Sequence, residues 1–166
     1  YDLKLSKDGF NDGLQTITVA AKPTTKAQTV HLTPAGKVYF LSRASGKIDV
    51  IKSNLDGSGR QTILAGTGRE DDATTTMIST TDWRYLALST RREDKKAQII
   101  IIDTSNDSTT TADEGNATFT LYGWDGKKLV YTSENLDTPA WKTGRNRLKS
   151  YDAAASKLSV LYQTVA

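Results

Sequence analysis

Histidine occurs once in the 166 residues, at His31, and cysteine does not occur. The lack of Cys removes disulfides, thiolate metal ligands and thiol nucleophiles together. His31 stands between Val30 and Leu32 with no His, Cys or acid close by in sequence, so a surface or packing role is expected rather than a base or a ligand. The paired acids Asp71-Asp72, Glu93-Asp94 and Asp113-Glu114 fall in turn-like stretches, where solvated carboxylates are expected. Asp103–Asp107 has the composition of a calcium loop but lacks the Gly and closing Glu of an EF-hand, and Asp and Asn favour turns by bonding their own backbone. No nucleophile elbow, phosphate loop or dinucleotide fingerprint is present, so no catalytic residue, metal or cofactor is expected.

The cations carry more information. They gather in three places: Arg43 with Lys47; Arg91, Arg92, Lys95 and Lys96; and Lys142, Arg145 and Arg147, just after Trp141. The net charge of the whole chain is only +3, which gives no reason to expect nucleic acid. What matters is whether the fold brings the three groups to one place.

The elements that must do so are strands. Apolar residues alternate at Leu3 and Leu5, Ile17 and Val19, Val38 and Phe40, Ile48 and Val50, Leu86 and Leu88, Leu129 and Tyr131, and Leu158 and Val160. Turn signals such as Asp8-Gly9, Asp56-Gly57-Ser58-Gly59 and Asp125-Gly126 separate them. There are 24 threonines, a residue stiff at χ1 that suits a pleated sheet with one wet face. The longest apolar run is Ile99–Ile102, too short for a membrane-spanning helix, so membrane attachment would need an anchor outside this chain. The chain opens at Tyr1 without a signal-peptide pattern and has its one Met at Met77, which reads as a piece of something longer.

Three segments align without gaps: AQTVHLTPAGKVYFLS from Ala27, TTTMISTTDWRYLALS from Thr74 and TFTLYGWDGKKLVYTS from Thr118. The alignment makes Ser42, Ser89 and Ser133 equivalent. Each segment is followed by a loop, a strand ending near an acidic turn (Ile48–Ile51, Ile99–Ile102, Leu148–Tyr151) and a short fourth strand (Gln61–Leu64, Ser108–Thr111, Lys157–Leu161). Four strands in roughly 45 residues is the signature of a β-propeller blade, a sheet that hides its faces by stacking on its neighbours. Repeats are expected near 35–66, 74–113 and 118–164. The loops between second and third strands, Arg43–Lys47, Arg91–Lys96 and Glu134–Arg147, would then share one rim carrying nine basic and four acidic residues. Arg43, Lys47, Arg91, Arg92, Trp141, Lys142 and Arg145 are the candidate binding residues there, and Trp141 among cations suits an anchor for a partner or an anionic polymer. Trp83 and Trp124, in the turns before two second strands, are expected to pack between blades.

The segments LDGSGRQTIL (Leu55–Leu64), DWRYLALST (Asp82–Thr90) and GWDGKKLVYTS (Gly123–Ser133) resemble TolB-type propeller repeats, which carry a SPDGxxLAFxS turn-strand and a DLDGSGxxxL turn. The chain departs from that pattern at Thr81, where the repeat has Pro, and at Trp83, where it has Gly. Tyr1–Pro34, with SKDGF and a Thr-rich close, resembles the C-terminal half of a PEGA domain, a small β-sandwich module of bacterial envelope and surface proteins, and on that resemblance Val30–Leu32 is its last strand. The fold class expected is therefore all-β: a sandwich-like tail over 1–34, then about three four-stranded antiparallel blades of a partial β-propeller over 35–166. The resemblance implies an extracytoplasmic, non-enzymatic binding or scaffold module that presents its loops to a protein or an anionic cell-envelope polymer. Two other readings stand beside it: the gating propeller of a prolyl-oligopeptidase-like hydrolase, and a carbohydrate-binding propeller or sandwich using Trp124 and Trp141.

Overall fold

The computed structural model describes residues 1–18, 29–94 and 96–165, and among them every regular element is a strand. None of the described residues forms a helix long and apolar enough to cross a membrane. The chain forms two compact units, residues 1–40 with 50–64 and residues 41–49 with 65–166.

In the first unit β1 (Asp2–Leu5) and β2 (Gly13–Thr16) form an antiparallel hairpin running from Asp2 opposite Thr16 to Leu5 opposite Gly13. Residues 33–35 lie against its connection through Asn11 N–H to the Thr33 carbonyl and Ala35 N–H to the Gly9 carbonyl, both 2.8 Å. The expected strand Val30–Leu32 does not form. Only Pro34 makes a ladder bridge, to Phe10. The Thr-rich stretch has the β-branched composition of a strand, but composition supplies no pairing partner. His31 is exposed. Val19, expected in a strand, and Lys95, expected on the rim, lie outside the described residues. Three further strands, β3 (Lys37–Ser42), β4 (Asp49–Asn54) and β5 (Gln61–Leu64), make one three-stranded antiparallel sheet in sequence order.

The second unit holds two four-stranded antiparallel sheets in simple sequence order: β6 (Thr76–Ser79), β7 (Tyr85–Glu93), β8 (Lys96–Asp103), β9 (Ser108–Gly115); and β10 (Ala117–Asp125), β11 (Lys128–Asn135), β12 (Asn146–Asp152), β13 (Lys157–Gln163). Their facing sides make the core. Tyr85, Ala87, Ile99 and Ile101 from the β6–β9 sheet meet Phe119, Leu129, Tyr131 and Tyr151 from the β10–β13 sheet. Ile99, Leu129 and Tyr131 are completely buried, and each of the two aliphatic side chains contributes roughly 1.5–3 kcal/mol by leaving water. Phe119 stands edge-on to Tyr131 at 5.9 Å, and Tyr85 stacks on Trp124 at 6.4 Å. Leu86, Leu88, Ile100 and Ile102 alternate with the facing set and are buried too, so the β6–β9 sheet is covered on both sides.

The gapless repeat alignment holds in the first strands but not in the second. Eleven residues separate Met77 from its cross-strand partner Leu88, whereas ten separate Leu121 from Tyr131. The turn between Ser79 and Tyr85 uses more residues than the two-residue turn at Gly126-Lys127, and a bulge between Leu121 and Gly123 offsets only part of the difference. A slip of one residue reverses the face of every side chain that follows. Leu86 and Leu88 therefore correspond to Leu129 and Tyr131. Ser89 and Ser133 are not equivalent: Ser89 faces the β10–β13 sheet and Ser133 faces the β6–β9 sheet.

One charged group crosses the core. Asp113 on β9 accepts hydrogen bonds from Tyr131 Oη and Lys149 Nζ, both at 2.7 Å, and its side chain and that of Lys149 are each only 10% exposed. Burial, then the bond to the Asp113 carboxylate, pushes the Tyr131 hydroxyl far above its ordinary pKa, so it stays a donor at any physiological pH. The three groups pin the two sheets in one register.

Candidate functional site

Between β6 and β10, the first strands of the two sheets, lies a cavity of about 410 Å³, within the range that holds small ligands. Thr76 and Ile78 come from β6, Ser89 and Arg91 from β7, and Thr118 to Leu121 from β10. Its walls mix hydroxyls with the apolar Ile78, Phe119 and Leu121, and Arg91 is its one charged residue. A bulge between Arg91 and Glu93 separates two adjacent arginines. Arg91 lines the cavity, while Arg92 turns to the loop before β6 and donates to the Ala65 carbonyl.

That loop is braced by a buried carboxylate. Glu70 Oε1 accepts from Thr67 N–H (2.7 Å) and Thr67 Oγ1 (3.0 Å), and Oε2 accepts from Gly68 N–H (2.8 Å), with Arg92 Nη1 3.4 Å from Oε1. Burial works against the charge, but the backbone N–H donors of Thr67 and Gly68 outweigh it and hold Glu70 below its ordinary pKa. Thr67 Oγ1 is also 3.0 Å from the Arg92 carbonyl, which ties the loop to the β7–β8 turn. Next to it, Asp49 accepts from Gly66 N–H (2.6 Å) and Ser45 Oγ (2.6 Å), and these two bonds lower its pKa. A Cβ added at Gly66 would lie 2.7 Å from Lys47 Cβ and 2.8 Å from the Ile48 carbonyl, so only glycine allows this approach.

The expected rim residues are thus brought to one end of the sheets, but they do different things there. Arg92 is clamped by Glu70 and Ala65. Arg145 donates through Nε (3.0 Å) and Nη2 (2.8 Å) to Glu134 and through Nη1 to the Thr138 carbonyl, and so shapes the β11–β12 loop from inside. Arg43 pairs with Asp72 at 3.0 Å in the open, an exchange worth at most about 1 kcal/mol. Lys96 pairs with Glu114 at 2.9 Å. Among the described residues Lys47, Arg91 and Lys142 have no ion pair. Trp141, 82% exposed at the crest of the β11–β12 loop, is not packed against the fold. Arg147 lines a second, smaller cavity of about 200 Å³ beside Asp113 and Lys149, and its Nε is buried without a hydrogen-bond partner.

The arginines and Trp141 stood out in the sequence, but the hydroxyl cleft did not. The signal for the cleft was present in the threonines at alternate positions of the first strands. Trp83, expected between blades, is instead 70% exposed, and only Trp124 is part-buried against the core. Among the described residues the cavity lining offers hydroxyls, apolar side chains and one guanidinium.

No protein-family model matches the chain, and no curated protein does. Solved structures do match. A puromycin-hydrolyzing peptidase of Mycobacterium tuberculosis aligns with a TM-score of 0.55 at 15% identity, over 78% of this chain and 19% of that one. A TolB protein of Agrobacterium tumefaciens aligns with a TM-score of 0.51 at 15% identity, over 78% and 46%. An oligogalacturonate lyase of Vibrio parahaemolyticus aligns with a TM-score of 0.50 at 17% identity, over 78% and 37%. This chain spans less than half of the length of each. At such identities the likeness is one of fold: the four-stranded antiparallel sheets of this all-β chain are blades of the β-propeller kind found in TolB-like proteins.

Proposed function

We propose that this chain is a non-enzymatic binding module that works outside the cytoplasm of a bacterium and holds an anionic envelope polymer along the rim formed by the β3–β4, β7–β8 and β11–β12 loops. The observation that carries the reading is the division of the rim cations. Arg43, Arg92, Lys96 and Arg145 are neutralised by acids of the fold, while Lys47, Arg91 and Lys142 have no ion pair among the described residues; of these Arg91 lines the hydroxyl-bearing cleft, and Trp141, next to Lys142 in the chain, is exposed. A phosphate or carboxylate meeting Arg91 would find a forked donor and neighbouring hydroxyls, the pairing that guanidinium geometry favours. Trp141 adds stacking and cation–π contacts along the same line. The extracytoplasmic setting follows the resemblance of Tyr1–Pro34 to an envelope module and of the sheets to TolB-type repeats.

The test is binding of polyphosphate and polygalacturonate, as phosphate and carboxylate polyanions, to the chain and to a Lys47→Ala/Arg91→Ala/Lys142→Ala variant at low salt. Three unpaired charges, Lys47 and Lys142 exposed and Arg91 half-buried, at roughly 0.5 kcal/mol each predict a loss of about tenfold in affinity, shrinking as salt screens the rim. An Arg43→Ala/Lys96→Ala control, which removes the same kind of charge from paired positions, should lose much less. Equal losses in both variants, or none in the first, would overturn the assignment. A Trp141-dependent protein partner with no polyanion binding would do so as well.

A further inference from the structure

The other end of the same sheets holds a feature that the rim does not use. The turn from Ser79 to Tyr85 puts Trp83 at φ +58°, in the left-handed region that favours glycine, and leaves its side chain 70% exposed. Nine glycines of this chain take positive φ, but besides them only Trp83, Asp107 and Ser156 do so among the described residues, and Trp83 is the bulky one. The turn is tightly held in this state. Thr80 Oγ1 donates to Asp82 at 2.6 Å, Arg84 N–H donates to Asp82 at 3.0 Å, and Thr104 Oγ1 donates to the Trp83 carbonyl at 2.8 Å. A bulky residue kept in a strained backbone state, with its indole in water, contributes nothing to the core that would explain it. Such strain persists where the exposed group is used.

A cavity lies beside the turn. Arg84, next to Trp83, pairs with Asp103 at 2.9 Å, and Asp103 and Tyr85 line a cavity of about 230 Å³ together with Ser108, Thr110, Tyr151 and Ser156. The Ser108, Thr110 and Ser156 hydroxyls have no hydrogen-bond partner among the described residues. Trp124, stacked on Tyr85, buries its indole Nε1–H without a partner. An exposed indole next to a cavity of hydroxyls, a carboxylate and two tyrosines matches the two sides of a sugar, an apolar C–H face and a rim of hydroxyls. The carboxylate of the cavity, Asp103, is already paired with Arg84, which favours a neutral ligand over an ion.

We propose that this end of the sheets is a saccharide site, in which a neutral sugar ring of an oligosaccharide stacks on Trp83 and a neighbouring ring hydrogen-bonds to Asp103, Ser108, Thr110 and Ser156. It is separate from the basic rim, at the opposite end of β7, and does not depend on that reading.

The test pairs binding with stability. The full chain is titrated with neutral hexose and N-acetylhexosamine oligosaccharides, and Trp83→Gly, Trp83→Ala and Trp83→Tyr are compared with it. The wild-type chain binds at least one of these oligosaccharides. Glycine and alanine each lower affinity about tenfold or more, while tyrosine, which keeps a ring, stays within a few-fold. Trp83→Gly also melts higher than wild type by a few degrees, because it relieves the backbone, whereas Trp83→Ala does not. A wild-type chain that binds none of the oligosaccharides overturns the proposal, as does a Trp83→Gly variant that binds as tightly as wild type. Trp83-dependent binding of a protein with no saccharide binding also overturns it.

Discussion

Glu70 is the most economical place to test how the rim is held. Its side chain is 1% exposed and accepts three hydrogen bonds, two of them from backbone N–H groups, while facing Arg92. Glu70→Ala leaves those donors without an acceptor and takes the partner from a guanidinium that is itself only 14% exposed. A buried donor left unsatisfied costs about 1–3 kcal/mol, and removing one member of a buried charge pair costs about 3–5 kcal/mol. These two costs overlap, and water entering the space vacated recovers part of the loss, so about 3–4 kcal/mol is expected. That is a large share of the roughly 5–15 kcal/mol that holds such a domain together. Glu70→Gln keeps one acceptor oxygen and turns an amide toward the remaining donors, and should cost about 1–3 kcal/mol. Urea unfolding at neutral pH, followed by tryptophan fluorescence, measures both. The pH dependence has a definite sign. Folding lowers the pKa of Glu70 from its ordinary 4.5, so its stabilisation is complete above that value and is lost as pH falls through the lower, folded pKa. Wild type and Glu70→Gln should therefore differ most at neutral pH and converge in acid, once the pH has fallen below the lowered folded pKa. A Glu70→Ala chain within 0.5 kcal/mol of wild type at neutral pH, taking about that much as the noise of surface substitutions, would refute the reasoning.

Two further perturbations probe the parts that position the site. Lys149→Met strands the Asp113 carboxylate in the core and should cost about 3–5 kcal/mol by urea unfolding, whereas the uncharged triple variant Asp113→Leu/Lys149→Met/Tyr131→Phe should fall within about 2 kcal/mol of wild type. Gly66→Ala drives a methyl group into Lys47 and the Ile48 carbonyl, and should lower the melting temperature by several degrees and loosen the Lys47 turn, read as faster amide exchange at Lys47 and Ile48.

The architecture could be read from the chain because period-2 alternation and Gly-containing turns are local signals. The third strands at Ile99–Ile102 and Leu148–Tyr151, and the fourth at Gln61–Leu64, fall where these signals put them. Register could not be read in the same way. Ser89 and Ser133 aligned by spacing, but the turn residues that shift one against the other carry no alternation, and the face a side chain takes depends on that count. Val30–Leu32 failed for a related reason, since β composition does not supply a neighbour to pair with. At the site, the sequence showed where cations gather but not which are already neutralised. Glu70 lies 22 positions from Arg92, and Glu134 lies 11 from Arg145, distances that only the folded loops close. Trp83 shows the opposite case: the position stood out in the sequence because a glycine was expected there, and the structure supplies the reason in its backbone angle.

The β6–β9 sheet has a consequence for how the chain survives its own folding. Ile99–Ile102 is a run of four β-branched apolar residues without charge or proline, the composition that pairs with copies of itself when exposed. In the fold it is the third of four strands, laddered to β7 on one side and β9 on the other, with both faces covered, so no edge of it is presented. Lys96 and Asp103 end the strand with opposite charges and act as gatekeepers against stacking of one chain on the next. Anything that peels β9 away turns this template into an open edge, so the fourth strand protects the chain from self-pairing as well as completing the sheet.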